Sequence, residues 1–499
     1  MKTISFLLFT LLLPVLTLAK TITVTNNADT GIGTLREAIE NAEENDTIIF
    51  DNSVTSITLK SGLIIEKSIT INGSSSNNVT INMANDAVSF RRHLTIRGMA
   101  ENVSLSYLTL NNGRMTTTCA GAIYYAVGNL IIDHCNFNNN YSSTLGGAIY
   151  AHGKKLQLSN CKFDGNYGMR SGGVIHIGEN CIAFIENNSF KNNSAANAAV
   201  IYNVGTTIIN QCEFKKNSSD YYGVIYNSTK GIMTINNSIF DQNQYNVDGT
   251  FNNAGKATIV NCLFTNNQVS SQPGHAYLLL RKNVISNRYG NDGDLTIINS
   301  TIANNVGIGL TLENTVTLYN NIFWNNTIPN FNAEYDIYDS NEKDYSLTVF
   351  NNLIGTSNID LSGNNNLIGE DPLFVGDGDY SLQKNSPAID KGNNTYLNAE
   401  FIIDLAGNPR ISNGTVDMGA YEYQQGTVSV NSISNDEVKV YAYDRIVVVE
   451  NAHAPVTIYN LTGGVVGSAG HTGTVAITVS QAGVYIVRTG SEARKVVVK

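Results

Sequence analysis

Residues 130–140 read LIIDHCNFNNN, residues 156–166 read LQLSNCKFDGN and residues 207–217 read TIINQCEFKKN. In each stretch an aromatic anchor (Phe137, Phe163, Phe214) stands three places before an asparagine (Asn140, Asn166, Asn217), two places after a cysteine and five after an aliphatic residue (Ile132, Leu158, Ile209). The same spacing recurs around Phe190, Phe240, Phe264, Ile302 and Phe323, which are followed by Asn193, Asn243, Asn267, Asn305 and Asn326. The small position is filled there by Asn188, Ser238, Cys262, Ser300 and Asn321. Most anchors lie 24 to 27 residues apart, with one gap of 38 and a last one of 21.

A fixed period with one residue type recurring in register marks a repeat architecture. Within each unit apolar residues alternate, as in Leu156-Gln157-Leu158, which indicates short strands; a helical repeat needs apolar residues three and four apart. Units of about two dozen residues made of short strands imply an all-β right-handed parallel β-helix, with coils stacked at roughly 4.8 Å. The Phe and Ile anchors then form inward ladders, each buried side chain contributing about 1.5–3 kcal/mol. The recurrent Asn is expected at a sharp corner, where it tolerates left-handed backbone and bonds to neighbouring coils. The six cysteines are Cys119, Cys135, Cys161, Cys181, Cys212 and Cys262. Four of them occupy the small position and read as inward fillers rather than as disulfides, and no CxxC or HxxxH zinc spacing occurs.

A stack of parallel strands leaves an open apolar end that has to be covered. The stretch Gly33 to Ala42 is an amphipathic helix with Thr34 as N-cap and Glu37 three residues on, which places Leu35, Ala38, Ile39 and Ala42 against the first coil. Upstream, Lys2 precedes an apolar run from Ile4 to Leu18 and the small-residue site Thr17-Leu18-Ala19. This is a secretory signal peptide, residues 1–19, cut near Ala19, because about 15 apolar residues interrupted by Pro14 fall short of the roughly 20 a span needs. Charged residues make up 14% of the 499, and the net charge of −10 comes without a basic stripe, which argues against nucleic acid. No later run is apolar enough to span a bilayer, so no transmembrane helix is expected in the mature chain.

Residues 29–51, DTGIGTLREAIENAEENDTIIFD, resemble the opening segment of bacterial surface β-helix proteins of pectin-lyase-like fold. Residues 371–423, with DPLFVGDGDYSLQKNSPAIDKG, DLAGNPRI and VDMGAYEY, resemble the closing segment of the choice-of-anchor proteins, so the helix is assigned to residues 20–425. Residues 427–499 alternate in the manner of a small β-sandwich. Their VTIYNLTGGVV and QAGVYIVRTGSEARKVVVK are similar to the C-terminal sorting domain of type IX secretion cargo; the alternative is an ordinary immunoglobulin-like module. The resemblance implies a Gram-negative host of the Bacteroidetes group, the type IX machinery as partner, and a secreted or outer-membrane surface-attached product.

Enzymes of this fold cleave acidic polysaccharides, which the resemblance makes one alternative. The matching candidate is a polar cluster of His152, Lys154, Lys155, Arg170, His176 and Glu179 on two successive coils; without paired carboxylates it also reads as solvated loop charge. No cofactor is expected. Asp377-Gly378-Asp379 and Asn291-Asp292-Gly293-Asp294 are candidate calcium stretches, and neither has a full set of spaced ligands. A more regular feature is a column twelve to fourteen residues before the first six anchors: Tyr124, Tyr150, His176, Tyr202, Tyr226 and Phe251, with Ile123, Ile149, Ile175 and Ile201 one place earlier. Alternation puts the column outside if the isoleucines are inside. An outward ladder of rings suits stacking on sugars; rings turned inward or covered by loops are the competing reading. The preferred function is therefore a non-catalytic, adhesin-like β-helix binding an extracellular polysaccharide or cell-surface glycan. A polysaccharide lyase or glycosidase is one alternative and a structural surface spacer another.

Overall fold

The computed structural model describes residues 19–424 and 438–498, apart from 75–77, 85–90, 270–281, 288–292, 329–334, 340–344, 398–401, 444, 461–463, 471–472 and 491. The expected signal peptide lies, but for Ala19, outside the described residues. By internal contacts the chain divides into two units, Met1–Gln425 and Gly426–Lys499.

The first unit is a parallel β-helix. One coil runs from Asn129–Asp133 through Asn136–Asn138, Tyr141–Ser142 and Ile149–Ala151, and returns one layer on with Lys155–Ser159. Numbered in that order, the first and second sheets have 13 strands each, the third 7 and the fourth 11. Strands within these sheets pair in parallel, in register as in Phe137 beside Phe163 and Phe163 beside Phe190, with a bulge in the third sheet between Gly168 and Ser171. Stacking puts identical positions one above another, so the anchors build a column of rings whose centroids lie 4.6 Å apart for Phe137 and Phe163 and 4.3 Å for Phe240 and Phe264. All six Phe anchors from Phe137 to Phe264 are buried, as are the aliphatic residues five places earlier.

The corners correct one expectation. The left-handed residue is not the recurrent Asn but the one before it: Asn139, Asn192, Lys216, Gln242, Asn266, Asn304 and Asn325 have positive φ, with Gly165 in the same place. A second left-handed column, His134, Asn160, Asn187, Gln211, Asn237 and Asn261, turns the chain from the first sheet into the second. The recurrent Asn points inward instead. The Oδ1 of Asn166 accepts from the backbone N–H and Nδ2 of Asn140, at 3.0 Å each, and its Nδ2 donates to the Phe137 carbonyl at 2.9 Å. A corner removes main-chain partners from buried groups, and a carboxamide, both donor and acceptor, replaces them. At the other corner Cys135, Cys161, Cys212 and Cys262 alternate with Asn188 and Ser238 on the inside, and all six cysteines of the chain are free thiols. The Cys161 N–H donates to Asn188 Oδ1 at 2.8 Å and that of Cys212 to Ser238 Oγ at 3.1 Å.

The N-terminal end is closed by the helix Leu35–Asn41. Thr34 Oγ1 accepts from the Glu37 N–H, and Leu35, Ala38 and Ile39 are buried. At the other end Ile359 and Leu361 pack against the core. The segment from Asp371 onward does not cap that end; it folds back along the flank. The outer column of the second sheet is polar in early coils (Asn136, Lys162, Ser189, Glu213) and, apart from Thr301, apolar later (Ile239, Leu263, Ile322, Leu353). Leu382, Ala388 and Met418 cover the later part. Asn261 Nδ2 donates to the Ile403 carbonyl at 3.2 Å, and the Ala420 N–H to Thr301 Oγ1 at 2.9 Å.

The second unit has two antiparallel sheets. One holds Lys439–Tyr443, Ile446–Ala452 and Gly473–Thr478; the other Val465–Ala469, Val456–Asn460, Gly483–Thr489 and Glu492–Val498. Val447, Val449 and Val475 from one sheet and Ile458, Val487 and Val496 from the other share a single core, so the unit is a small β-sandwich.

Candidate functional site

The aromatic column stands on the fourth sheet. Tyr124, Tyr150, His176, Tyr202 and Tyr226 are in register on successive coils, and the next position is Asn252. Phe251, expected in this column, belongs to the inner one: it pairs with Ile225 and Ile285 and is fully buried. The spacing to the anchor varies from 12 to 14 residues between coils, so counting back 13 from Phe264 lands on the wrong face, where one step exchanges inside for outside.

The rings do not form a flat surface either. Centroids are 5.4 Å apart between Tyr124 and Tyr150, 5.1 Å between Tyr150 and His176 and 5.3 Å between His176 and Tyr202, with planes within 15°. Rings so stacked lie across the axis and cover each other's faces. His152 adds a ring 4.5 Å from Tyr150, Arg92 sits 4.8 Å over Tyr124, and Tyr222 stacks on Tyr226 at 4.6 Å. Only edges and hydroxyls reach outward, and His176 and Tyr226 are buried. Burial pushes the His176 imidazole down to about 4 and the Tyr150 phenol up to about 12.

The polar cluster does not converge. Lys154 Nζ pairs with Glu101 at 2.9 Å, and Glu179 with Lys230 at 2.9 Å. Lys155 lies 4.8 Å over the Phe184 ring on the first sheet, while Arg170 stands on the third. Residues one coil apart are close only when they share a column, and these occupy different ones; the exception is His152 and His176, whose ring centroids lie 6.1 Å apart against Tyr150. Of the candidate calcium stretches, Asp377-Gly378-Asp379 forms a hairpin turn in which Asp379 Oδ1 accepts from the Ser381 N–H at 2.9 Å; Asn291-Asp292 lie outside the described residues. Among the described residues no group of three or more His, Cys, Asp and Glu is placed to hold a metal ion.

The charged motifs of the closing segment turn inward. Arg410 is almost fully buried, with Asp404, Asp417 and Glu422 around it. Their carboxylates take the place of secondary structure. Asp417 accepts from the backbone N–H groups of Asp390 and Tyr423 at 2.7 and 2.6 Å, and Glu422 from those of Ser412 and Asp417 at 3.0 Å each. Burial pushes Asp417 up to about 6; burial and the neighbouring Asp417 push Glu422 to about 7. This network shapes a wall.

That wall bounds a groove which the sequence reading did not single out. A cleft of about 610 Å³ runs along the corner between the first and second sheets, lined by His134, Asn160, Lys162, Asn187, Glu213 and Asn237 and closed at one side by Ile403–Gly407. Asn187 Nδ2 donates to Asn160 Oδ1 at 2.6 Å, and Asn237 Nδ2 to Asn210 Oδ1 at 2.9 Å. Each carboxamide so held keeps one N–H and one lone pair for a ligand. At one end His134 Nδ1 lies 2.7 Å from Asp133 Oδ2. Burial raises the Asp133 carboxyl, but hydrogen bonds from Ser159, Asn160 and His134 outweigh it and hold it below its ordinary value. The signal was the polar residue three places before each anchor.

No family model and no curated protein sequence matches this chain. Among solved structures it is similar to pectate lyase Pel9A, with 15% identity and a TM-score of 0.39 over 82% of this chain and 97% of that one. An alginate lyase from Paenibacillus sp. str. FPU-7 matches with 12% identity and a TM-score of 0.28, over 69% of this chain and 97% of that one. The PL6 family alginate lyase AlyGC matches with 14% identity and a TM-score of 0.24, over 70% of this chain and 50% of that one.

Proposed function

We propose that this is an exported, surface-displayed β-helix that binds an extracellular polysaccharide along its flank without cleaving it. The supporting observation is the corner groove, where hydrogen-bonding side chains repeat once per coil at the lip of a cleft several coils long. A spacing of roughly 4.8 Å per coil offers a polymer the same contacts again and again, so weak contacts add along one chain. The ring edges and hydroxyls of Tyr124, Tyr150 and Tyr202 offer a second polar strip on another face. The signal peptide and the C-terminal sandwich, read as a type IX sorting domain, deliver the protein to the outer-membrane surface. Replacing Asn160, Asn187 and Asn237 together with Gly keeps their positive φ while removing the carboxamides. Retention of the purified protein in polysaccharide-containing affinity gels is expected to fall sharply; unchanged retention overturns the assignment to the groove.

A second reading, cleavage of an acidic polymer in the same groove, draws on the His134–Asp133 pair with Lys162 one coil on. New reducing ends that His134→Ala abolishes favour it; a wild-type protein that binds polymer and releases none excludes it.

A further inference from the structure

The third sheet carries a shorter ladder that stops abruptly. Tyr141 and Tyr167 stack at 5.6 Å, and Arg114 lies 4.4 Å over Tyr141. On the next coils the register position of Tyr167 is taken by Ser194, then Ser218, then Gln244. One face of Tyr167 is therefore against Tyr141, and the other looks over two small side chains into a notch of about 300 Å³. Asp220 and Asn246 line its side, and Asn246 Nδ2 donates to Asp220 Oδ1 at 3.1 Å. This differs from the fourth-sheet column, in which successive rings cover one another.

We infer that this notch binds a neutral hexose, presented as a chain end or side branch, stacked on the open face of Tyr167. A pyranose over Ser194 takes the place the next ring of the ladder would fill, at the stacking distance its own C–H face favours. A ring in that position lies across the coil axis, so a polymer threading along the axis cannot present it, whereas an end or a branch can. The hydroxyls of Ser194 and Ser218 meet its inner edge. Asp220 keeps a carboxylate oxygen for vicinal hydroxyls, a charge-assisted acceptor that also repels uronates. The inference rests on the polysaccharide-binding reading for taking the ligand to be a saccharide, but the site is separate from the groove.

The test uses the full chain and saturation-transfer NMR with maltotriose, cellotriose and mannotriose, beside tetragalacturonate. Binding of at least one neutral trisaccharide with a Kd in the millimolar range is expected. Measured in the Asn160/Asn187/Asn237→Gly background, which removes binding by the groove, Ser194→Tyr, which extends the ladder into the notch, and Tyr167→Ala each weaken it by at least roughly tenfold. An unchanged far-UV spectrum and thermal midpoint in Ser194→Tyr show that the fold is kept. Undiminished trisaccharide binding by Ser194→Tyr, binding of tetragalacturonate alone, or no neutral trisaccharide bound at about 10 mM each overturns the inference. Loss of polymer retention confined to the groove variant leaves the proposed function standing without this notch.

Discussion

Truncating Asn217 to Ala tests what holds one coil to the next. Its side chain is fully buried. Oδ1 accepts from the Asn193 backbone N–H and Nδ2 at 3.0 Å each, and Nδ2 donates to the Phe190 carbonyl at 2.9 Å and to Asn243 Oδ1 at 3.0 Å. Two partners survive the change: Asn193 Nδ2 keeps the Phe163 carbonyl, and Asn243 Oδ1 keeps the N–H of residue 217. The Asn193 N–H is orphaned and the Phe190 carbonyl loses its carboxamide donor. At about 1–3 kcal/mol for each unsatisfied buried group, plus the weakened ladder, the loss comes to about 3–5 kcal/mol. The neighbouring Lys216 has an exposed side chain and φ 55. Lys216→Asn, better suited to left-handed backbone, is expected to stabilise by a few tenths to about 1 kcal/mol. Urea unfolding gives the two signs, and native-state hydrogen exchange gives the place: in Asn217→Ala protection drops around Asn193 and Phe190 before it drops at Ile132. A loss below about 1 kcal/mol for Asn217→Ala refutes the assignment of coil cohesion to the inner carboxamides.

Phe214, whose ring lies between Phe190 at 5.0 Å and Phe240 at 4.5 Å, is expected to cost about 3–5 kcal/mol on truncation to Ala, measured by the same urea titration. Burial pushes the Cys181, Cys212 and Cys262 thiols up to about 12, so a thiol reagent at neutral pH should modify the half-buried Cys119 first and those three only after unfolding. Burial also pushes His93 down to about 4. The unfolded chain then takes up a proton near pH 6.5 that the folded one refuses, so the stability His93 contributes is present above that pH and lost as pH falls towards 4. Asp417 and Glu422, held up at about 6 and about 7, act in the opposite sense over that window. The His contribution is therefore read as the difference between wild type and His93→Gln, whose thermal midpoint should fall less on acidification. Deleting residues 427–499 should leave the far-UV spectrum of the β-helix intact and abolish surface display; display that survives the deletion refutes the sorting role.

The coil was legible because stacking forces one position to do one job in every layer. Phe137 to Phe264 and the Asn three places on recur because each touches its own counterpart above and below. The side on which a residue lies was harder to read. Phe251 holds the inner place of Ile225 and Asn252 the outer place of Tyr226, because the distance to the anchor drops from 14 residues before Phe240 to 12 before Phe264, a change that leaves the inner pattern untouched. The groove stayed hidden for another reason: its floor repeats at fixed places, three before the anchor in His134, Asn160, Asn187 and Asn237 and one before it in Lys162 and Glu213, but the wall that makes a cleft of them comes from Ile403–Gly407, far along the chain. The motifs DLAGNPRI and VDMGAYEY mark a buried network whose partners, Arg410 with Asp404, Asp417 and Glu422, meet only after the segment has folded back.

The change of the second sheet's outer column from polar to apolar divides the rod into a part free to vary in length and a part that is measured. Coils from Asn136 to Glu213 present a polar column that borders the open groove, so duplicating one, for instance residues 137–162, adds a layer whose ladders match on both sides. Coils from Ile239 to Leu353 lie under the returning segment, whose Leu382, Ala388 and Met418 match a set number of layers. An added coil there leaves that cover one layer short and exposes a leucine or isoleucine. Growth and shrinkage of this protein should therefore occur in its amino-terminal half, with the returning strap acting as a ruler for the rest.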